Sequence, residues 1–202
     1  MAIFVTLFAA TEGELDRIFP GWPKPPEAPT LVRVDDPDTG EERTEKRWVP
    51  EGEVSASLLL ADPQSAAEVM APVLEPESEY ERHMEERAPR VLRTLPHACL
   101  KHLFGRHLDA LASLLLGRPI EARPARVTPD GFPIDRLAQE GMVALSRMSP
   151  TDLPQLAERW ARGPAKGFEG QADALWALRR VHALAVLCTG TVQRSLCLWI
   201  ES

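Results

Sequence analysis

The chain opens on an alternating apolar run. Ile3, Val5 and Leu7 fall on one side and Phe4, Thr6 and Phe8 on the other. Period two with apolar residues on both sides predicts a strand covered on both faces, ending near Ala9. Thr11 and Glu14 then stand at capping-box spacing, where the Thr hydroxyl accepts from the third helical amide and the Glu reaches back. A short helix through Leu15 and Ile18 follows, broken by Phe19-Pro20-Gly21-Trp22. Five prolines between Pro20 and Pro29 make a stiff, extended connector that Trp22 is expected to pin to the surface.

Two β-prone runs, TLVRV and RTEKRWV, flank an acidic, Gly-containing turn, the pattern of a β-hairpin. The second run is highly polar, as suits an exposed strand guarded by charge. VSASLLL, residues 54–60, reads as a further strand or as the lead into a helix capped at Asp62-Pro63 and running to about Met70. The acidic stretch 75–89 has a narrow apolar stripe, Tyr80 and Met84, so a solvated helix is expected. Residues 89–116 read as helical with a boundary at Pro96, and Gly117 ends the element. Residues 120–128 form an edge strand or loop because of Pro124. Helices are expected over 134–148, from Ser149-Pro150 to Trp160, and over 171–189, before a terminal strand in TVQRSLCLWI.

The fold class is therefore α+β, helix-rich, with a small, mainly antiparallel sheet built from the N-terminal strand, the hairpin and the C-terminal strand. One globular domain spanning 1–202 is expected. Its parts are an acidic β-containing region (1–61), a helical region (62–190) and the closing strand (191–200).

Charge divides along the chain. Residues 1–87 hold 20 acidic and 8 basic side chains, against 10 and 15 in residues 88–202, within a total of −7. Such a balance argues against nucleic acid as the main partner, and the acidic half either forms an interaction face or pairs with the basic half. Three scattered cysteines among apolar neighbours suit buried, reduced thiols in a reducing compartment. The N-terminal run lacks the basic flank of a signal peptide, and no segment reaches the ~20 apolar residues of a membrane span. A cytoplasmic protein without membrane association is expected.

Candidate chemistry is concentrated in LPHACLKHLFGRHLDALASLLLG, residues 95–117, which holds three of the five histidines. On a helical wheel His107 falls with Leu100, Leu103, Phe104, Leu111 and Leu114, on the core side. His102 points away and shares a face with Cys99. Two such groups fall short of a tetrahedral metal site, even allowing for His83 and Glu86 from another helix, so neither metal nor cofactor is expected. No nucleophile elbow or phosphate loop is present. Cys99 with His102 as its base is the one enzyme constellation on offer, and the cluster is read as structural.

The leading functional expectation is a non-catalytic, cytosolic protein-binding module of the immunity or inhibitor type. It would neutralise a basic partner, such as a toxin or nuclease, through an acidic face. The residues proposed for that face are Asp35, Asp36, Asp38, Glu41 and Glu42 in the hairpin, then Glu77, Glu79, Glu81, Glu85 and Glu86 on the acidic helix. Trp48 and Tyr80 would be aromatic anchors. The alternatives are a small enzyme using Cys99 and His102, or a subunit of a larger assembly with self-association.

Overall fold

Strand β1 (Phe4–Ala10) sits inside the sheet, and its alternation is the reason. Val5, Leu7 and Ala9 enter one apolar cluster, while Phe8 and Ala10 enter another on the opposite face. The computed structural model describes residues 4–35, 42–50, 68–127, 133–163, 168–190 and 192–200. Within them β1 pairs antiparallel with β4 (His97–Lys101) on one side and with β7 (Ser195–Ile200) on the other. β6 (Pro133–Arg136) continues the sheet beyond β7, and β5 (Arg126–Val127) forms its far edge, giving the order β4-β1-β7-β6-β5. The terminal strand thus closes onto the N-terminal strand as expected.

Helix α1 (Glu12–Ile18) starts with the full capping box, Glu14 N–H donating to Thr11 Oγ1 at 3.2 Å and Thr11 N–H to Glu14 Oε2 at 2.8 Å. It covers one face of the sheet with Leu15 and Ile18, beside Phe19 and Trp22. Trp22 is buried at the start of the proline connector, 4.9 Å from the Phe19 ring and 6.1 Å from Trp199. The other face carries α3 (Gly105–Leu116), α4 (Gln139–Ser146), α5 (Leu153–Ala161) and α6 (Gln171–Cys188). Trp160 is fully buried among them, its indole N–H donating to the His107 carbonyl at 2.9 Å.

Four expectations change. The hairpin exists as β2 (Thr30–Asp35) and β3 (Glu42–Arg47), but forms its own two-stranded sheet. Residues 97–101 are strand, not helix: β4 is buried on both faces, where an apolar run has the same periodicity signal as a buried helix. Only a 3₁₀ turn (Leu92–Thr94) precedes it. Residues 133–136 are likewise strand, captured by pairing with β7, so the helical region of the sequence contributes β4, β5 and β6 to the sheet. Residues 68–70 are not helical; Met70 N–H donates to the Arg93 carbonyl and Val73 N–H to the His97 carbonyl, laying this segment along the outer edge of β4. Residues 54–60 lie outside the described residues.

Candidate functional site

Helix α2 (Glu79–Arg87) carries Glu79, Tyr80, Glu81, Glu85 and Glu86 of the proposed acidic face. Ser78 caps it, its hydroxyl accepting from Glu81 N–H at 3.2 Å. The helix is sparsely apolar, so burial of Met84 and Ala88 alone is a weak anchor. Two of its glutamates supply the rest. Glu81 is buried and accepts from Trp176 Nε1 at 2.6 Å and from the Arg180 guanidinium at 2.9 Å, both on α6. It also accepts from the Glu77 backbone N–H at 2.7 Å. The Arg180 guanidinium lies 4.2 Å from the Trp176 ring centre. Burial works against the charge of Arg180 and lowers its pKa, while the carboxylates of Glu81, Glu77 and Glu85 oppose that shift.

Glu85 holds the edge of β4. Its Oε1 accepts from Cys99 N–H at 3.0 Å, and its Oε2 lies 3.0 Å from His97 Nε2, whose Nδ1 is 2.8 Å from the Leu95 carbonyl. Burial disfavours the Glu85 carboxylate, yet the hydrogen bonds from His97 and Cys99 hold its pKa below the ordinary range. An edge-strand N–H that would face solvent is thereby satisfied by a side chain.

With Glu81 and Glu85 turned inward, these two do not belong to an outer face. Glu77, Glu79, Glu86 and Tyr80 do stay exposed, with Glu75 beside them. Tyr80 is anchored from behind by Phe4, 6.2 Å between ring centres. In the hairpin, Asp35 ends β2 and Glu42 is exposed, 3.6 Å from Arg33. Asp36, Asp38 and Glu41 lie outside the described residues. Trp48 is half-buried just after β3.

The Cys99–His102 pairing rested on a shared helical face, which a strand does not have. Cys99 is buried on β4, its sulfur 4.0 Å from Thr6 Oγ1. Burial, followed by the charge of Glu85, pushes its thiol above the ordinary range, the reverse of what a nucleophile needs. His102 follows the strand with φ of 55°, in the left-handed region, where it turns the chain toward α3. His107 is buried, and its Nδ1 accepts from Phe104 N–H at 3.0 Å, closing the first turn of α3. His83 is exposed. Among the described residues no group of three or more His, Cys, Asp or Glu side chains is placed to hold a metal ion. Nor is any helix there long and apolar enough to cross a membrane.

One pair of titrating groups gave no signal in the sequence. Asp109 on α3 accepts from Ala122 N–H at 3.0 Å, and burial, with the charge of Glu121 adding, pushes its carboxyl up to about 6. Asp135 on β6 is pushed up to about 6 by burial and then by the charge of Asp109, against the hydrogen bond from Gly105 N–H. A Cβ on Gly105 would stand 2.3 Å from the Asp135 carboxylate, so that approach requires glycine. A second buried charge, Arg126 on β5, is held by Asp16 at 2.6 Å and Glu12 at 3.0 Å.

Comparison of the chain with protein families, with characterised proteins and with solved structures found no match.

Proposed function

We propose that this protein is a non-catalytic binding module that engages a basic protein partner through the acidic end of α2. A cytoplasmic inhibitor or immunity protein, neutralising a toxin or nuclease, is the role such a surface serves. The supporting observation is the division of labour among the helix acids. Glu81 and Glu85 fasten α2 to α6 and β4, while Glu75, Glu77, Glu79 and Tyr80 remain exposed at its N-terminal end. A preformed, charged ridge with an aromatic beside it meets a partner at little ordering cost and steers it electrostatically. The hairpin acids, Asp35 to Glu42, are the second contact region. The charge asymmetry of the sequence is thus partly spent internally, in Glu81–Arg180 and Glu12/Asp16–Arg126, and partly displayed.

The test is affinity capture from the native host's lysate at low and then moderate salt, with mass spectrometry. The triple variant E75K/E77K/E79K is run beside the parent, after circular dichroism confirms that it folds. A single basic partner, retained at low salt and lost with salt or with the reversals, supports the reading. A partner bound equally by parent and variant, or no partner at all, counts against it.

A further inference from the structure

Three basic side chains of the C-terminal half, Arg118, Arg123 and Arg136, line one cavity. The cavity, of about 350 Å³, opens between the end of α3, the segment 118–123 and the start of α4. Its volume falls within the ~300–1,000 Å³ of small-molecule sites. Ile120 and Leu137 give it apolar wall, and three guanidiniums line it, Arg118, Arg123 and Arg136. Arg118 is neutralised by Glu140, and the lining acid Glu121 is neutralised by Lys46 at 2.7 Å. Arg123 and Arg136 have no carboxylate partner among the described residues. Arg123 donates to the Pro25 carbonyl, and Arg136 Nε donates to the Arg123 carbonyl at 2.6 Å. These bonds fix both side chains and leave further N–H donors on each fork. A smaller adjoining cavity of about 190 Å³ shares Arg123 and Arg136 and adds Lys24, together with Glu12 and Arg126, which pair with each other. The first turn of α4 also lines the larger cavity, with no side-chain cap.

We propose that this cavity binds the phosphate group of a small molecule. Two fixed guanidiniums without counter-ions are the carrying observation; planar forks match phosphate oxygens with paired hydrogen bonds. The uncapped helix end adds amide donors of the same preference. Donors from three separate elements suit the three terminal oxygens of a phosphate better than the two of a carboxylate. This inference is independent of the acidic ridge.

The experiment is calorimetric titration of the full chain with inorganic pyrophosphate at low ionic strength, with malonate as the carboxylate arm. Saturable binding at one site is expected, weakened about tenfold or more in R123A and in R136A. R82A, an exposed arginine on α2, is expected to leave it unchanged. Arg123 is exposed, so R123A decides the matter if R136A does not fold. Absence of saturable heat up to about 10 mM pyrophosphate overturns the proposal. Equal weakening by R82A overturns it too, as does malonate binding more tightly than pyrophosphate.

Discussion

Asp135 offers a quantitative check on the interior. Its carboxyl is pushed from an ordinary value of 3.8 up to about 6, first by burial and then by Asp109. The native state therefore holds this proton more tightly than the unfolded chain. Between about pH 4 and pH 6 stability falls as pH rises, and at pH 7 the ionised carboxylate exerts its full cost. At about 1.36 kcal/mol per unit the upper bound is about 3 kcal/mol. Partial exposure of Asp135 screens some of that, and about 2 kcal/mol is the working expectation. Asp135→Asn removes the charge and keeps an acceptor for Gly105 N–H. Urea unfolding of parent and variant at pH 7 should show D135N more stable by about 2 kcal/mol, and at pH 4 the two should agree within about 0.5 kcal/mol. Glu14 and Glu85, whose pKa values are lowered, contribute stability that is lost as pH falls through those lowered values. They do so in both proteins and cancel in the difference. A variant that is destabilised at pH 7, or a difference independent of pH, refutes the reasoning.

Glu81→Ala strands the buried Arg180 and the Trp176 N–H, and should lower stability by about 3–5 kcal/mol in denaturant titration; Glu81→Gln, which keeps an acceptor, should cost less. Leu111→Asp places an unpaired carboxylate where Leu111 is fully buried, and circular dichroism should show loss of the fold. Cys99, Cys188 and Cys197 are buried free thiols with raised pKa, so a chromogenic disulfide reagent at neutral pH should label them only as fast as the chain opens. Rapid labelling of Cys99 in the folded protein would contradict its placement on β4.

What the sequence revealed about the fold follows from how local each signal is. The capping box at Thr11 and Glu14, the breakers at Pro20 and Gly21 and the glycine stop at Gly117 act within a few residues, and each stands where expected. β1 was legible because both of its faces carry an alternating apolar set. HACLK and PIDR were not, since each becomes strand only by pairing with a distant partner, β1 for one and β7 for the other. Their own residues have no preference strong enough to resist a helix. Reading 97–101 as helix then brought Cys99 and His102 together by a geometry the strand does not possess.

The candidate surface was legible in charge and illegible in direction. Counting acids in 75–87 locates α2, but Glu79 and Glu81 differ only in which side of the helix meets α6. That is decided by Arg180 and Trp176, about a hundred residues away along the chain. The same holds for the basic residues. Arg126 and Arg180 look like surface charges and are interior, each held by carboxylates from the N-terminal half. Arg123 and Arg136 look no different in the sequence, yet end beside a cavity with only carbonyl partners among the described residues. A buried guanidinium losing its carboxylates would be strongly destabilising, so pairing accounts for Arg126 and Arg180 in terms of stability. Exposed pairs contribute little, so stability gives no reason for two guanidiniums to line one cavity with carbonyl partners alone among the described residues. That residue of unexplained charge, rather than the acidic excess visible from composition, is where the structure adds most to the functional question.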